Sequence, residues 1–227
     1  MRIPSTIAVA AMLAAALAQP AASIMIDDFE VGDFSFTDDT TSVLPTLQEQ
    51  SGLSTSSVVG GVRLVQITAT GIAGASAAAL ATTPVDDGAV LTTLAGSGSY
   101  AFMYDGTAGG LSNSGSAGTL GLNLSGTTAV AIDATLATGV VDATVQMWSN
   151  TTQTSTFAQL VNGVTLIPVT NFSINMADIR AIRVNITLVE AGDVPIINSI
   201  STVPEPGTGL LTALGLVGLA IRRARSR

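Results

Sequence analysis

Cysteine, histidine and lysine are all missing from this chain of 227 residues, and each absence removes a class of chemistry. Without cysteine there is no disulfide framework and no thiolate metal site, so the body must be held together by packing. Without cysteine or histidine no nucleophile and base pair built on those side chains can be assembled, and without lysine there is no Schiff base. Positive charge is scarce as well. Of eight arginines, Arg2 sits at the start and Arg222, Arg223, Arg225 and Arg227 at the end, which leaves Arg63, Arg180 and Arg183 for everything between. Fifteen acidic residues share the stretch from Ile24 to Thr202 with those three arginines, a formal charge of −12. Such a body has no basic footprint for phosphate, which argues against nucleic acid as a partner. Aromatic residues are only 4% of the chain and tryptophan occurs once, so platforms for stacking a ligand are few.

What is present is organised first at the two ends. Met1-Arg2, the apolar run Ile7 to Ala18 and the small residues of Ala16-Leu17-Ala18 read as a secretory leader. Ala21-Ala22-Ser23 is a second cleavage site, so the mature chain begins at Gln19 or Ile24. At the other end Val203-Pro204-Glu205-Pro206 precede an apolar run from Gly207 to Ile221 and then the arginines. Proline fixes its own φ and supplies no backbone donor, so Pro204 and Pro206 part the tail from any strand before it. As a helix the run would span roughly 22 Å, short of the ~30 Å hydrocarbon layer. It would cross only with snorkelling or local thinning. The arginines would stay on the cytoplasmic side and leave the rest of the chain outside. The competing reading is a buried core helix with a basic end.

A Pro-Glu-Pro turn, one short greasy segment and an arginine tail, in that order, resemble the PEP-CTERM sorting signal, which exosortase-type membrane enzymes process in Gram-negative bacteria that export polysaccharide. The resemblance implies an exosortase-like processing partner, anchorage in the inner membrane through a C-terminal transmembrane helix, and a final place at the cell surface or in extracellular matrix. Residues 1–23 are then the leader, 24–202 the ectodomain and 203–227 the sorting and anchor segment.

The body reads as β. Alternating or β-branched runs between turn signals predict strands at Val58 to Thr70, Ala89 to Leu94, Ser99 to Tyr104, Thr119 to Leu124, Ala129 to Leu136, Val140 to Trp148, Thr154 to Val161, Val164 to Val169, Ile179 to Leu188 and Val194 to Ile200. Gly106 to Gly118 is the longest expected loop. So many short strands require two sheets or a barrel, and the expected fold is an all-β, two-sheet, jelly-roll-like sandwich, flanked by a signal helix and a transmembrane helix. The phrases Ile26-Asp27-Asp28-Phe29-Glu30, Gly32-Asp33, Leu122-Asn123-Leu124-Ser125-Gly126, Asp178 to Arg183 and Ile197-Asn198-Ser199-Ile200 resemble the galactose-binding-type jelly rolls of carbohydrate-binding modules. Those modules often carry an aspartate where this chain has Asn198, a departure that weakens the carry-over of a calcium or sugar site.

Only carboxylates remain as strong catalytic candidates. A pair flanking a glycosidic bond can hydrolyse it, and Asp27, Asp28, Glu30, Asp105, Asp133, Asp142 and Asp193 are available, but no spacing selects a pair. The acid pairs Asp27-Asp28, Asp38-Asp39 and Asp86-Asp87 offer oxygen ligands of the kind a structural calcium takes, without matching a calcium-loop pattern. On the strand from Val140 to Trp148, alternation sets Asp142, Thr144, Gln146 and Trp148 on one face, where Trp148 is either a sugar platform or a packed edge residue. Tyr100, Phe102 and Tyr104 share a face in the manner of core residues. Asn123, Asn150, Asn171 and Asn185 each begin an Asn-X-Ser/Thr triplet, which Asn, Ser and Thr this abundant produce by chance. The chain therefore reads as a non-catalytic, exported, envelope-anchored structural or matrix protein without a cofactor. The rivals are an exopolysaccharide-binding module and a carboxylate-dependent glycoside hydrolase.

Overall fold

Alternation of apolar and polar residues does most of the work of building this body, and the computed structural model turns it into strands. Residues 22–39, 45–70, 76–81, 88–95, 97–108, 118–137, 140–150, 152–188 and 194–205 are described. Among them are thirteen strands: β1 (Met25–Asp27), β2 (Phe34–Asp39), β3 (Thr46–Ser51), β4 (Val62–Thr70), β5 (Ser76–Ala81), β6 (Ala89–Ala95), β7 (Ser97–Tyr104), β8 (Thr127–Thr135), β9 (Val141–Trp148), β10 (Gln153–Gln159), β11 (Gly163–Pro168), β12 (Ala181–Leu188) and β13 (Ile196–Pro204). They form a seven-stranded sheet in the order β11-β8-β13-β6-β5-β2, with β1 also on β13, and a six-stranded sheet in the order β10-β9-β12-β7-β4-β3. Ile24–Val203 is one compact unit. The expected signal and transmembrane helices fall on residues outside the described ones. Among the described residues no helix is long and apolar enough to cross a membrane.

Both sheets contribute to one core. Val65 and Ile67 of β4, Tyr100, Phe102 and Tyr104 of β7, Val141, Ala143, Val145 and Met147 of β9 and Ile182, Val184, Ile186 and Leu188 of β12 pack with Ile26, Phe34, Leu91, Val130, Ile132, Ile167, Ile197 and Ile200 of the other sheet. Burying a side chain of this size stabilises by about 1.5–3 kcal/mol, which lets the body hold without disulfides. Phe102 lies at the aromatic centre, edge-on to Phe29 at 5.0 Å and 6.5 Å from Phe34. The first and last strands close on each other: Ile24 N donates to Thr202 Oγ1 at 2.9 Å and Thr202 N donates to Ile24 O at 2.9 Å.

Nine of the ten expected strands appear, with ends shifted by a few residues. The exception is Thr119 to Leu124, which makes only an isolated bridge between Leu122 and Ile179. Its neighbour Gly118 explains the geometry: a Cβ there would lie 2.2 Å from Arg180 O, and this close approach lets Leu120 N and Leu122 N donate to Arg180 O and Ile179 O. Residues 109–117 of the expected loop lie outside the described set.

Candidate functional site

The outer face of the six-stranded sheet gathers the polar residues that alternation leaves over once the core is filled. On β9 the core takes Val141, Ala143, Val145 and Met147, so Asp142, Thr144, Gln146 and Trp148 point the other way. Register places Asp142 between Gln159 and Thr187, Thr144 between Phe157 and Asn185, Gln146 between Ser155 and Arg183, and Trp148 between Gln153 and Ala181. A hydrogen-bonded chain crosses this face. Arg183 Nε donates to Asn185 Oδ1 at 2.9 Å, Arg183 Nη2 donates to Gln66 Oε1 at 3.3 Å, and Asn185 Nδ2 donates to Gln146 Oε1 at 3.3 Å. Partial burial lowers the pKa of Arg183 from its ordinary value. Planar amides and a guanidinium held in one row are groups suited to the hydroxyls of a sugar, as donors and acceptors together.

Trp148 does not stand free on this face. It is 7% exposed and packs with Leu64, Met103 and Ala181, with Leu47 against the group. It belongs to a small buried apolar cluster that runs along this face from β9 over β12 and β7 to β4. The exposed aromatic on the same face is Phe157, at 62%. Sequence periodicity singles out Asp142, Thr144, Gln146 and Trp148 but misses Arg183, Asn185 and Gln66, because which strand lies beside which is not written in any one strand.

A second polar group lies inside the sandwich. Arg63 on β4 points inward and is fully buried, as is Asp27. Arg63 Nη2 donates to Asp27 Oδ1 at 3.0 Å and to Val31 O at 2.8 Å, and Nη1 donates to Gln50 Oε1 at 3.2 Å. Arg63 Nε lies 2.7 Å from Asp27 Oδ2, close enough for an ion pair although its N–H is not aimed along a hydrogen bond. Tyr104 Oη donates to Asp27 Oδ2 at 2.8 Å and Phe29 N donates to Asp27 Oδ1 at 2.9 Å. The guanidinium also faces the rings of Phe29 and Phe34 at 5.1 and 5.4 Å. Burial outweighs all these donors and raises the Asp27 carboxyl from 3.8 to about 6. Burial and the facing Asp27 push the Tyr104 hydroxyl well above its usual range. With Asp27, Arg63 and Tyr104 fully buried, the cluster clamps residues 27–32 to β4.

The other candidate carboxylates are dispersed. Asp28 caps Glu30 N at 3.0 Å, Glu30 itself is exposed, Asp133 is half-buried on β8 and Asp105 accepts from Thr107 N at 2.9 Å. Burial raises the Asp105 carboxyl, against the Thr107 hydrogen bond and with help from Glu49. Asp38 is buried and accepts from Thr46 Oγ1 and Ala69 N, which ties β2 to β3 and β4 of the other sheet. Asp86, Asp87 and Asp193 lie outside the described residues. Among the described residues no three carboxylates converge to hold a cation.

Residues 202–225 match the PEP-CTERM protein-sorting motif. The motif marks the chain as an exported protein processed by an exosortase-type enzyme. No curated protein sequence matches the chain. Similar solved structures include the family 11 carbohydrate-binding module of the cellulosomal cellulase Lic26A-Cel5E of Clostridium thermocellum, at 11% identity over 82% of this chain and 96% of that one, with a TM-score of 0.38. The Clostridium thermocellum module in complex with a beta-1,3-1,4-mixed-linked tetrasaccharide aligns at 9% identity over 80% and 95%, with a TM-score of 0.39. The module TmCBM61, in complex with beta-1,4-galactotriose, aligns at 10% identity over 70% and 88%, with a TM-score of 0.32.

Proposed function

We propose that the protein is held at the cell envelope by its C-terminal segment, trimmed by an exosortase-like enzyme, and contributes without catalysis to the surface or extracellular matrix. The observation that carries this reading is the sorting motif at residues 202–225. Val203, Pro204, Glu205 and Pro206 form the recognised motif, which begins within the last residues of β13, the run to Ile221 is the anchor, and Arg222, Arg223, Arg225 and Arg227 hold its cytoplasmic end. Residues 24–202 are the delivered cargo and 1–23 the leader. Intact-mass measurement of surface-extracted protein tests it. The expected mass lacks both the leader and everything beyond the Val203 to Pro206 region, and a released form still ending at Arg227 would sink the proposal.

A second reading is favoured by the row of Gln146, Asn185, Arg183 and Gln66: the outer face of the six-stranded sheet holds exopolysaccharide, with Asp142 and Thr144 beside the row. Trp148 would then serve as packing on the same face, next along β9 from Gln146, and not as the platform. Arg183→Ala combined with Gln146→Ala should abolish retention on the host polysaccharide while leaving the melting temperature nearly unchanged. Undiminished retention by that variant rules the reading out.

A further inference from the structure

Strand β10 is an outermost strand of the six-stranded sheet, and its open side can be derived from the ladder to β9. Leu160 N donates to Val141 O at 2.9 Å and Ser149 N donates to Thr152 O at 2.9 Å. The register between those bonds is unbroken, from Gln159 opposite Asp142 to Gln153 opposite Trp148. Antiparallel pairs alternate between bonded and non-bonded positions, so Thr154, Thr156 and Ala158 turn their backbone groups toward β9. Gln153, Ser155, Phe157 and Gln159 therefore present theirs along the other edge, where no described strand pairs with β10.

Folded proteins guard such edges with charges, proline or a bulge. Gln153–Gln159 reads Gln-Thr-Ser-Thr-Phe-Ala-Gln and has none of the three. The strand at the other end of the same sheet does carry an acid, Glu49 on β3. The contrast extends along the chain. Residues 143–177 contain no charged side chain, within a body of net −12. Five exposed large apolar residues, Val140, Phe157, Val161, Val164 and Leu166, lie on or beside β10 and β11. Two copies of an acidic molecule repel wherever carboxylates face each other. A basic partner would seek the acidic surface, whereas an identical copy is confined to the neutral one.

We propose that β10 pairs antiparallel with β10 of a second copy, continuing the six-stranded sheet across a two-fold axis. The arrangement is isologous and closes as a dimer, with backbone bonds supplied by Gln153, Ser155, Phe157 and Gln159 and apolar contact by Phe157. It is a property of the sandwich and goes beyond the sorting and glycan readings.

Sedimentation of the full chain in mild detergent tests it. The wild type should be a dimer that tightens as salt rises from about 20 to about 500 mM, because screening weakens the repulsion between copies. Ser155→Pro removes an outward N–H at a position where an edge strand tolerates proline, and Phe157→Asp sets a charge at the junction. Each should weaken association about tenfold or more with unchanged thermal unfolding. Since the chain has no cysteine, Phe157→Cys should be joined copy to copy by a short bis-maleimide, whereas Ser51→Cys on β3 should stay unlinked. A monomeric wild type, an undiminished dimer in folded Phe157→Asp, or equal linking of the two cysteine variants would each overturn the proposal.

Discussion

Asp27 and Arg63 meet with neither side chain exposed, and the pH dependence of folding follows from that. The folded carboxyl titrates at about 6, above its ordinary 3.8. Between these values the folded chain keeps a proton that the unfolded chain has released, so stability falls as pH rises through this window and is level above it. A shift of this size corresponds to about 3 kcal/mol, and the raised Asp105 acts in the same sense. Thermal melts from about pH 4 to pH 7 should therefore be highest at the acid end. In Asp27→Asn combined with Arg63→Met the slope should shrink; the double change is required because a lone buried guanidinium would be strongly destabilising. Trp148 supplies a second prediction at this scale. Packed against Leu64, Met103 and Ala181, it should cost about 3 kcal/mol when replaced by alanine, visible as a lower denaturant midpoint with or without glycan.

Among the strands, burial separates residues of the same type. Phe102 on the central β7 has no exposed surface, and Phe157 on the outermost β10 is largely exposed. Phe102→Ala should destabilise by about 3–5 kcal/mol and Phe157→Ala by about 0.5 kcal/mol or less, which urea unfolding of the two variants compares directly. The inward faces of β7, β9 and β12 are legible from alternation alone, since every second residue is apolar. β3 and β5 are not: Thr-Leu-Gln-Glu-Gln-Ser has one apolar residue, and Ser-Ala-Ala-Ala-Leu-Ala has no alternation to read. β2 hides because its Asp38-Asp39 end looks like a turn, although Asp38 is buried and bonded to Thr46 and Ala69. The candidate site divides in the same way. Asp142, Thr144 and Gln146 come from the period of one strand, but their partners Arg183, Asn185 and Gln66 depend on a strand order set by the packing of the whole.

For the whole molecule, the compact unit ends at Val203, where β13 is still paired. A chain ending after Glu205 should give a cooperative β-type melt, because the strand survives the cut. A chain ending after Ser199 should not, because it loses Ile200 from the core and Thr202 from its bonds to Ile24. Circular dichroism of the two truncations checks this, and a molten product from the longer one would mean that the apolar tail belongs to the fold.

The bonds between Ile24 and Thr202 also fix where the two ends of the compact unit lie. The polypeptide enters and leaves the sandwich side by side, so a cut in the sorting motif near Pro204 would leave its new carboxyl end beside the strand that opens the unit.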